Sequence, residues 1–183
     1  SQATTAIDNG DHYLLNGTKN WITNGGRADI YIVIAQTNRD KGHKGINAFI
    51  VEKGMPGFEI GPKEDKLGIR GSDTHTLQFN DVKVPKENRI GDDGFGFKFA
   101  MKTLSGGRIG IAAQALGIAS GAYDLALKYS KERKAFGTEI HNHQAIAFKL
   151  ADMYTEIEAA RHMVMKAAWD KDNGHNYDLS SAM

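Results

Sequence analysis

Short apolar runs separated by clusters of Gly, Asn, Asp, Lys and Pro fill the first half of the chain. The segments "HYLLNG", "KNWIT", "DIYIVIAQT", "INAFIVEK", "FEIG" and "HTLQFNDVKV" have the length and the β-branched or aromatic content of strands. Ile30 to Ala35 is apolar at nearly every position and predicts a strand covered on both faces, whereas "HTLQFNDVKV" alternates and predicts a half-exposed one. Asn16-Gly17 and Asn24-Gly25 tolerate the positive φ of a type I′ turn, so they predict turns at both ends of a short strand carrying Lys19 to Thr23. Near Gly91 the period changes. Ile146, Leu150, Met153, Ile157, Ala160, Val164 and Ala167 follow steps of four and three, one stripe of a long helix. An earlier helix from about Phe95 to about Lys131 carries Gly106, Gly107, Gly110, Gly117 and Gly121. Each interior glycine costs about 1 kcal/mol relative to Ala, so close approach of a neighbouring helix or ligand is expected along it. "ERKAFGTEIHNHQ" interrupts the helical pattern at Gly137 and resumes it near Asn142, predicting an antiparallel helix pair. The fold class is therefore α+β, a small β-sandwich or barrel over residues 1–92 followed by an antiparallel helical bundle over 93–183.

Composition narrows the function classes. The chain has 183 residues, 40% hydrophobic and 25% charged, enough for one domain or two small ones with a real core. A formal net charge of +1 with dispersed Lys and Arg argues against nucleic-acid binding. No apolar run is read as approaching the roughly 20 residues of a bilayer span, and "SQATTAIDNG" lacks the pattern of a signal peptide, so no membrane insertion is expected. The absence of Cys removes disulfides, thiolate zinc ligands and thiol nucleophiles. Redox chemistry would need a borrowed cofactor.

Motifs for hydrolysis or metal chemistry are weak. His141 and His143 stand two apart, which does not place them on one helix face, and no carboxylate completes a zinc signature. "GDDGFGF" follows no strand of a βαβ unit and lacks the Lys-Ser/Thr of a nucleotide loop, so it reads as a turn into the first helix. No Ser occupies a G-x-S-x-G elbow.

"NGTKNWITNG", "KEDKLGIRGSDT", "FNDVKVPKENRIG", "GRIGIAAQALGIASGAYDLALKYSKERKAFG" and "HQAIAFKLADM" resemble, in order and spacing, the acyl-CoA dehydrogenase family, most closely its short-chain (butyryl-CoA) members. The resemblance implies an incomplete copy: most of the middle β domain (1–92) and the first part of the C-terminal helical domain (93–183). It implies FAD as cofactor, with Trp21, Ile22 and Thr23 along the isoalloxazine ring and the Thr23 hydroxyl near flavin N5. Arg133, Phe136, Ile140, His143 and Gln144 would reach the FAD of a neighbouring subunit, Arg133 opposite the pyrophosphate and Gln144 toward the adenosine. Some members carry Thr where this chain has Ala135, so a hydroxyl contact there is not carried over.

Ser105, Gly106, Gly107 and Arg108 would border the acyl-CoA thioester. In short-chain members the catalytic Glu lies in the last helices, beyond this chain, and in another subgroup immediately before the Arg matching Arg108, where this chain has Gly107. The resemblance thus implies α,β-dehydrogenation of a short-chain fatty acyl-CoA, as in fatty acid β-oxidation. It also implies electron-transfer flavoprotein as partner, a homotetramer, and a cytoplasmic or mitochondrial-matrix location according to the organism. The rival readings are an acyl-CoA oxidase handing electrons to oxygen and a non-catalytic scaffold.

Overall fold

The alternation of the first half builds one seven-stranded sheet that curls around its own apolar face. The computed structural model describes residues 3–183, which fall into two compact units, Ser1–Met101 and Lys102–Met183. In the first, β1 (Thr5–Asp8), β2 (His12–Thr23), β3 (Ile30–Gln36), β4 (Ile46–Glu52), β5 (Phe58–Lys63), β6 (Thr74–Pro85) and β7 (Arg89–Ile90) lie in the order β5-β6-β2-β1-β3-β4-β7. Pairing is antiparallel except between β1 and β3. Ring contacts between strands that are not neighbours show the curl: Tyr13 meets Phe49 at 4.8 Å and Tyr31 meets Phe58 at 4.9 Å. Leu15, Val33, Val51, Leu77, Phe79, Val82 and Val84 complete that core.

Three strand-level expectations are corrected. Asn16-Gly17 is not a hairpin turn: it lies inside β2, where the pairing with β6 shifts register. Asn16 instead exchanges hydrogen bonds with Asp81, its Nδ2 donating to Oδ1 (2.8 Å) and its Oδ1 accepting from the Asp81 N–H (2.9 Å). Glycine is needed at 17 because φ is +138° and a Cβ would stand 2.8 Å from the Thr4 Cα. The turn that does join two paired strands contains Asn9-Gly10, with Gly10 at φ +95° and the Asn9 N–H on the His12 carbonyl at 3.0 Å. Second, the Asn24-Gly25 turn closes β2 but β2 does not pair with β3. Third, β3 is covered on one face only. Tyr31, Val33 and Ala35 are buried while Ile30 and Ile32 are exposed, because the unit's own chain supplies one core.

Asn47, fully buried on β4, ties the sheet to the start of the first helix. Its Nδ2 donates to Thr37 Oγ1 and Asp93 Oδ1, each at 2.9 Å, and its Oδ1 accepts the Gly94 N–H at 2.9 Å. "GDDGFGF" is the turn that leads into helix α1 (Phe95–Glu132). Gly96 packs directly on β4: a Cβ there would lie 2.4 Å from the Asn47 carbonyl carbon.

The second unit holds the rest of α1, a two-stranded ribbon of β8 (Lys134–Ala135) and β9 (Thr138–Glu139), α2 (Gln144–Asp172) and α3 (Asp178–Ala182). The helix pair is joined by Tyr123 against Tyr154 (5.6 Å) and by Arg161 donating to Ser120 Oγ (3.3 Å). Leu150, Ile157 and Ala167 of the expected stripe are buried; Met153 and Ala160 remain exposed. Buried Asp170 fixes α3 to α2 by accepting from Lys166 Nζ and from Ser180 Oγ (3.1 Å).

Along α1 the described residues give Gly106 a neighbour, Lys171, but none to the later glycines, and one expectation about the helix is not met. No atom outside the helix backbone comes within 4 Å of a Cβ placed on Gly107, Gly110, Gly117 or Gly121, so the neighbour that these glycines suggested is not among the described residues. The helix, 38 residues long, is also long and apolar enough by composition to cross a bilayer, contrary to the reading of its sequence. Its Ile, Leu and Ala residues raise the mean hydropathy, while the Gly, Ser and Gln between them keep those residues from forming one continuous apolar run.

Two glycine substitutions separate these environments. Gly96→Ala forces backbone apart and is expected to cost about 1–3 kcal/mol. Gly117→Ala, in open space on a helix, is expected to stabilise by about 1 kcal/mol. Urea unfolding midpoints of the two variants against the parent protein check both signs.

Candidate functional site

The end of β2 is shaped by a bulge. Lys19 pairs with Leu77 and Ile22 with His75, so β2 has an extra residue between those two pairs. Tyr13, Leu15 and Lys19 point to the inner face; after the bulge the inner position passes to Ile22, which packs against the core. Trp21 and Thr23 are thereby both turned outward. Trp21 takes φ +60° and is 65% exposed. A bulky residue in the left-handed region is a true outlier, costing roughly 1–2 kcal/mol. Thr23 is exposed, and its hydroxyl has no hydrogen-bond partner among the described residues.

The turn that follows is tightly held. The Gly25 N–H donates to the Ile22 carbonyl (3.1 Å), and the Arg27 and Ala28 N–H groups to the Asn24 carbonyl (3.0 and 2.8 Å). The Tyr31 hydroxyl lies 2.8 Å from the Gly25 carbonyl, and Lys53 Nζ donates to the Gly26 carbonyl (2.9 Å). Just before β6, the Asp73 carbonyl accepts the Asn24 N–H (2.8 Å) and Asp73 Oδ2 the Gly26 N–H (2.9 Å). Asp73 Oδ1 and the Gly61 carbonyl flank the two ring nitrogens of His75 at 2.9 and 2.7 Å. A Cβ on Gly26 would stand 2.7 Å from His75 Nε2 and 2.9 Å from Asp73 Oδ2, so a larger residue there would have to displace this pair.

Beside this strand lies an open cavity of about 860 Å³ whose lining includes Lys19, Ile22, Thr23, Leu77, Phe97 and Met101. Burial pushes the Lys19 ammonium down to about 8. Lys19 is a residue that motif reading passes over; its signal is an inward place on an otherwise apolar strand face. Asp73 and His75 were missed for another reason, since their pairing is visible only after β5, β6 and the 24–27 turn have come together.

In the second unit, α1 ends and the ribbon turns through Phe136 (φ +54°) and Gly137 (φ +83°), a two-residue loop with both central residues in the left-handed region. The Ile140 N–H closes onto the Arg133 carbonyl (2.9 Å), His141 Nδ1 donates to the Ser130 carbonyl (3.2 Å) and His143 Nε2 to the Ala135 carbonyl (3.1 Å). His143 thus braces the ribbon. Ile140 is half-buried, and Phe136 at the tip is almost fully exposed. Arg133 and Gln144 are exposed with no polar side-chain partner among the described residues, and Arg133 does not cap the last carbonyls of α1.

The Ser105–Arg108 segment is separate from that ribbon. Arg108 and Arg133 are 25 positions apart, roughly 37 Å at 1.5 Å per helical residue. Ser105 is buried and donates to Asp178 Oδ1 (3.1 Å), so its hydroxyl serves helix packing. Gly106 faces the end of the Lys171 side chain, whereas Gly107 and Arg108 are open. Among the described residues no group of three or more His, Asp or Glu could hold a metal ion.

Two family models cover the chain: the acyl-CoA dehydrogenase middle domain matches residues 1–82 and the acyl-CoA dehydrogenase C-terminal domain residues 94–183. The chain belongs to the acyl-CoA dehydrogenase family. The short-chain-specific acyl-CoA dehydrogenase of Clostridium acetobutylicum is 56% identical over 182 residues, 100% of this chain and 48% of that protein. The solved butyryl-CoA dehydrogenase of Megasphaera elsdenii superimposes with a TM-score of 0.93 at 56% identity, covering 99% of this chain and 48% of its own. A structure described as an electron transferring flavoprotein of Acidaminococcus fermentans, in work on flavin-based electron bifurcation, gives a TM-score of 0.93 at 56% identity over 100% of this chain and 48% of that one. The chain therefore spans about half the length of these acyl-CoA dehydrogenase relatives.

The strained Trp21 gives a test of whether the bulge serves stability. Trp21→Gly removes the left-handed penalty along with a mostly exposed side chain, and is expected to raise unfolding free energy by about 1 kcal/mol. Trp21→Ala keeps the penalty and is expected to gain nothing. Paired urea titrations of the two variants check the difference.

Proposed function

We propose that this chain is part of an FAD-dependent dehydrogenase that introduces an α,β double bond into short-chain fatty acyl-CoA thioesters and passes the electrons to an electron-transferring flavoprotein. The observation that carries the reading is the pairing of an outward, conformationally strained Trp21 with a partnerless Thr23 hydroxyl on a strand clamped against movement. Strain of this kind persists where a binding surface needs it. A rigid strand suits a hydride acceptor, because small errors in placement cost rate steeply. Residues 1–92 are read as the middle domain and 93–183 as the first part of the C-terminal domain.

The residues fit a flavin dinucleotide chemically. Trp21 offers an aromatic face, Thr23 a hydroxyl free to donate, and Ile22 fixes the strand between them to the core. Arg133 offers an uncommitted guanidinium, able to fork onto phosphate oxygens, and Gln144 an uncommitted amide at the start of α2. Phe136 adds an exposed ring, while Ile140 and His143 brace the ribbon that carries it. The ribbon meets a different copy of the cofactor from the one against Trp21, in a homotetramer. FAD, when bound, accepts the hydride from the β-carbon.

At the thioester, Gly106 and Gly107 leave room along α1, Ser105 anchors that turn through Asp178, and Arg108 contributes positive charge. Gly107 carries no side chain, and the Asp178 carboxylate already accepts from Ser105. The carboxylate that takes the α-proton is therefore proposed to be a Glu elsewhere in the protein. Hydrogen bonds to the thioester oxygen would make that proton acidic by stabilising enolate-like charge. Support for the substrate comes from the short-chain and butyryl-CoA relatives, and for the acceptor from the flavoprotein structure of similar fold.

Arg133→Ala is expected to weaken FAD binding about ten- to a hundredfold, the loss of one charge-assisted phosphate contact. Titration of the flavin-free protein with FAD, followed by quenching of flavin fluorescence, measures it. Unchanged affinity would remove Arg133 from the site. Butyryl-CoA reduction of the bound flavin, then reoxidation in air against reoxidation by the flavoprotein, separates a dehydrogenase from an oxidase.

A further inference from the structure

Behind the outward face of Trp21 and Thr23 stands an ion pair that no part of the proposed reaction uses. His75 sits on β6 directly opposite Ile22, and Thr74 opposite Thr23. One ring nitrogen of His75 is 2.7 Å from the Gly61 carbonyl and the other 2.9 Å from Asp73 Oδ1. A carbonyl can only accept. Asp73, held below its ordinary 3.8 by its bonds to His75 and the Gly26 N–H, is an ionised carboxylate at neutral pH and can only accept as well. Both ring nitrogens must therefore donate, and the ring satisfying this geometry is the imidazolium.

We propose that His75, held as an imidazolium between Asp73 and the Gly61 carbonyl, is a positioning residue for the Trp21–Gly26 segment and couples its placement, and hence FAD affinity, to pH. The proposal rests on the reading that this segment contacts the flavin. Loss of the ring proton leaves one of the two acceptors without a donor. Asp73 is the affected partner with the longer reach, since it alone connects the ring to the turn, through the Gly26 and Asn24 N–H groups.

The surroundings set the sign. Hydrogen bonding to the Gly61 carbonyl, then to Asp73, raises His75 above its ordinary 6.5, against burial and the nearby Lys63 of β5. Asp73 is partly buried, which alone would raise it, but its bonds to His75 and to the Gly26 N–H hold it below its ordinary 3.8. Lys53 touches the same turn at the Gly26 carbonyl, and Tyr31 reaches it from β3 through a hydroxyl at the Gly25 carbonyl. A His raised in the folded state contributes fully below its unfolded value and loses that contribution as pH rises through the folded one. The depressed Asp73 contributes fully above 3.8 and loses its share only in acid. The clamp is thus complete between about pH 3.8 and 6.5 and slackens as pH rises above that.

The experiment compares the protein with its His75→Gln and Asp73→Asn variants from about pH 6 to about pH 9, where an elevated histidine titrates. The first readout is Trp21 emission without FAD, isolated as the difference between the protein and its Trp21→Phe variant; the second is FAD affinity. In the parent, emission should shift with rising pH along a single titration, and the FAD dissociation constant should rise about tenfold over the same range, the loss of one charge-assisted hydrogen bond. Both variants should bind FAD about tenfold more weakly at pH 6, and His75→Gln should show no titration of either signal. His141 and His143 remain in the variants, so a slope that persists in His75→Gln belongs elsewhere and overturns the proposal, as does a parent with flat emission. Trp21→Ala and Thr23→Val test the flavin contact separately. If they leave FAD affinity unchanged, the contact reading falls while the emission titration still judges the clamp.

Discussion

The pairing of β2 with β6 is the constraint on which the first unit depends, and it is built from two bulges that cancel. Between Leu15 and Gly17 the extra residue is on β6, where Asp81 takes φ +52°; between Lys19 and Ile22 it is on β2, where Trp21 takes φ +60°. The register of Tyr13 with Val84 is therefore recovered at Ile22 with His75. Each bulge shifts the inner face by one position. On β6 the buried series Leu77, Phe79 becomes Val82, Val84, and on β2 the series Tyr13, Leu15 ends at Ile22. Bulges also increase twist, which helps a seven-stranded sheet bring Tyr31 onto Phe58. Core closure and the outward aim of Trp21 share one cause.

Each bulge is stapled by side chains rather than left to the backbone. Asn16 holds the first through Asp81, and the Asp73–His75 pair holds the second through the turn after Thr23. The two staples differ in kind. An amide–carboxylate exchange at the surface changes only when a carboxylate protonates, whereas an imidazolium between two acceptors changes near neutrality. The staple nearer the candidate flavin strand is the titratable one.

Much of this was legible in the pattern of residues. The helical stripe from Ile146 to Ala167, the break at Gly137, the turn at "GDDGFGF" and the alternation of β6 are local features, and local features survive folding. Bulges are not local. Asn16-Gly17 carries the composition of a hairpin turn, yet its conformation is decided by Asp81, 65 residues away, and by the backbone of Thr4. β1 and β7 are too short to show a period, and exist because β2 and β4 present free edges to them. At the candidate site the resemblance supplied the residues, but not their roles inside the fold. Ile22 faces the core, Ser105 is committed to Asp178, and His143 braces a ribbon; Trp21, Thr23, Arg133 and Gln144 keep free faces.

That division follows from what each unit leaves exposed. Ile30 and Ile32 on β3, and Ile111, Ile118 and Leu125 at seven-residue intervals on α1, are more than half exposed. Scattered apolar residues on a surface need no explanation, but a series at the helical repeat is a packing seam. Gly107, Gly110, Gly117 and Gly121 add bare backbone on the same helix with nothing against it. Interior glycines weaken a helix, and an open apolar seam gains nothing from water, so both are costs within this chain alone. The left-handed Trp21 is a third cost of the same sort. These costs have no visible return among the described residues of a chain that spans about half the length of its acyl-CoA dehydrogenase relatives.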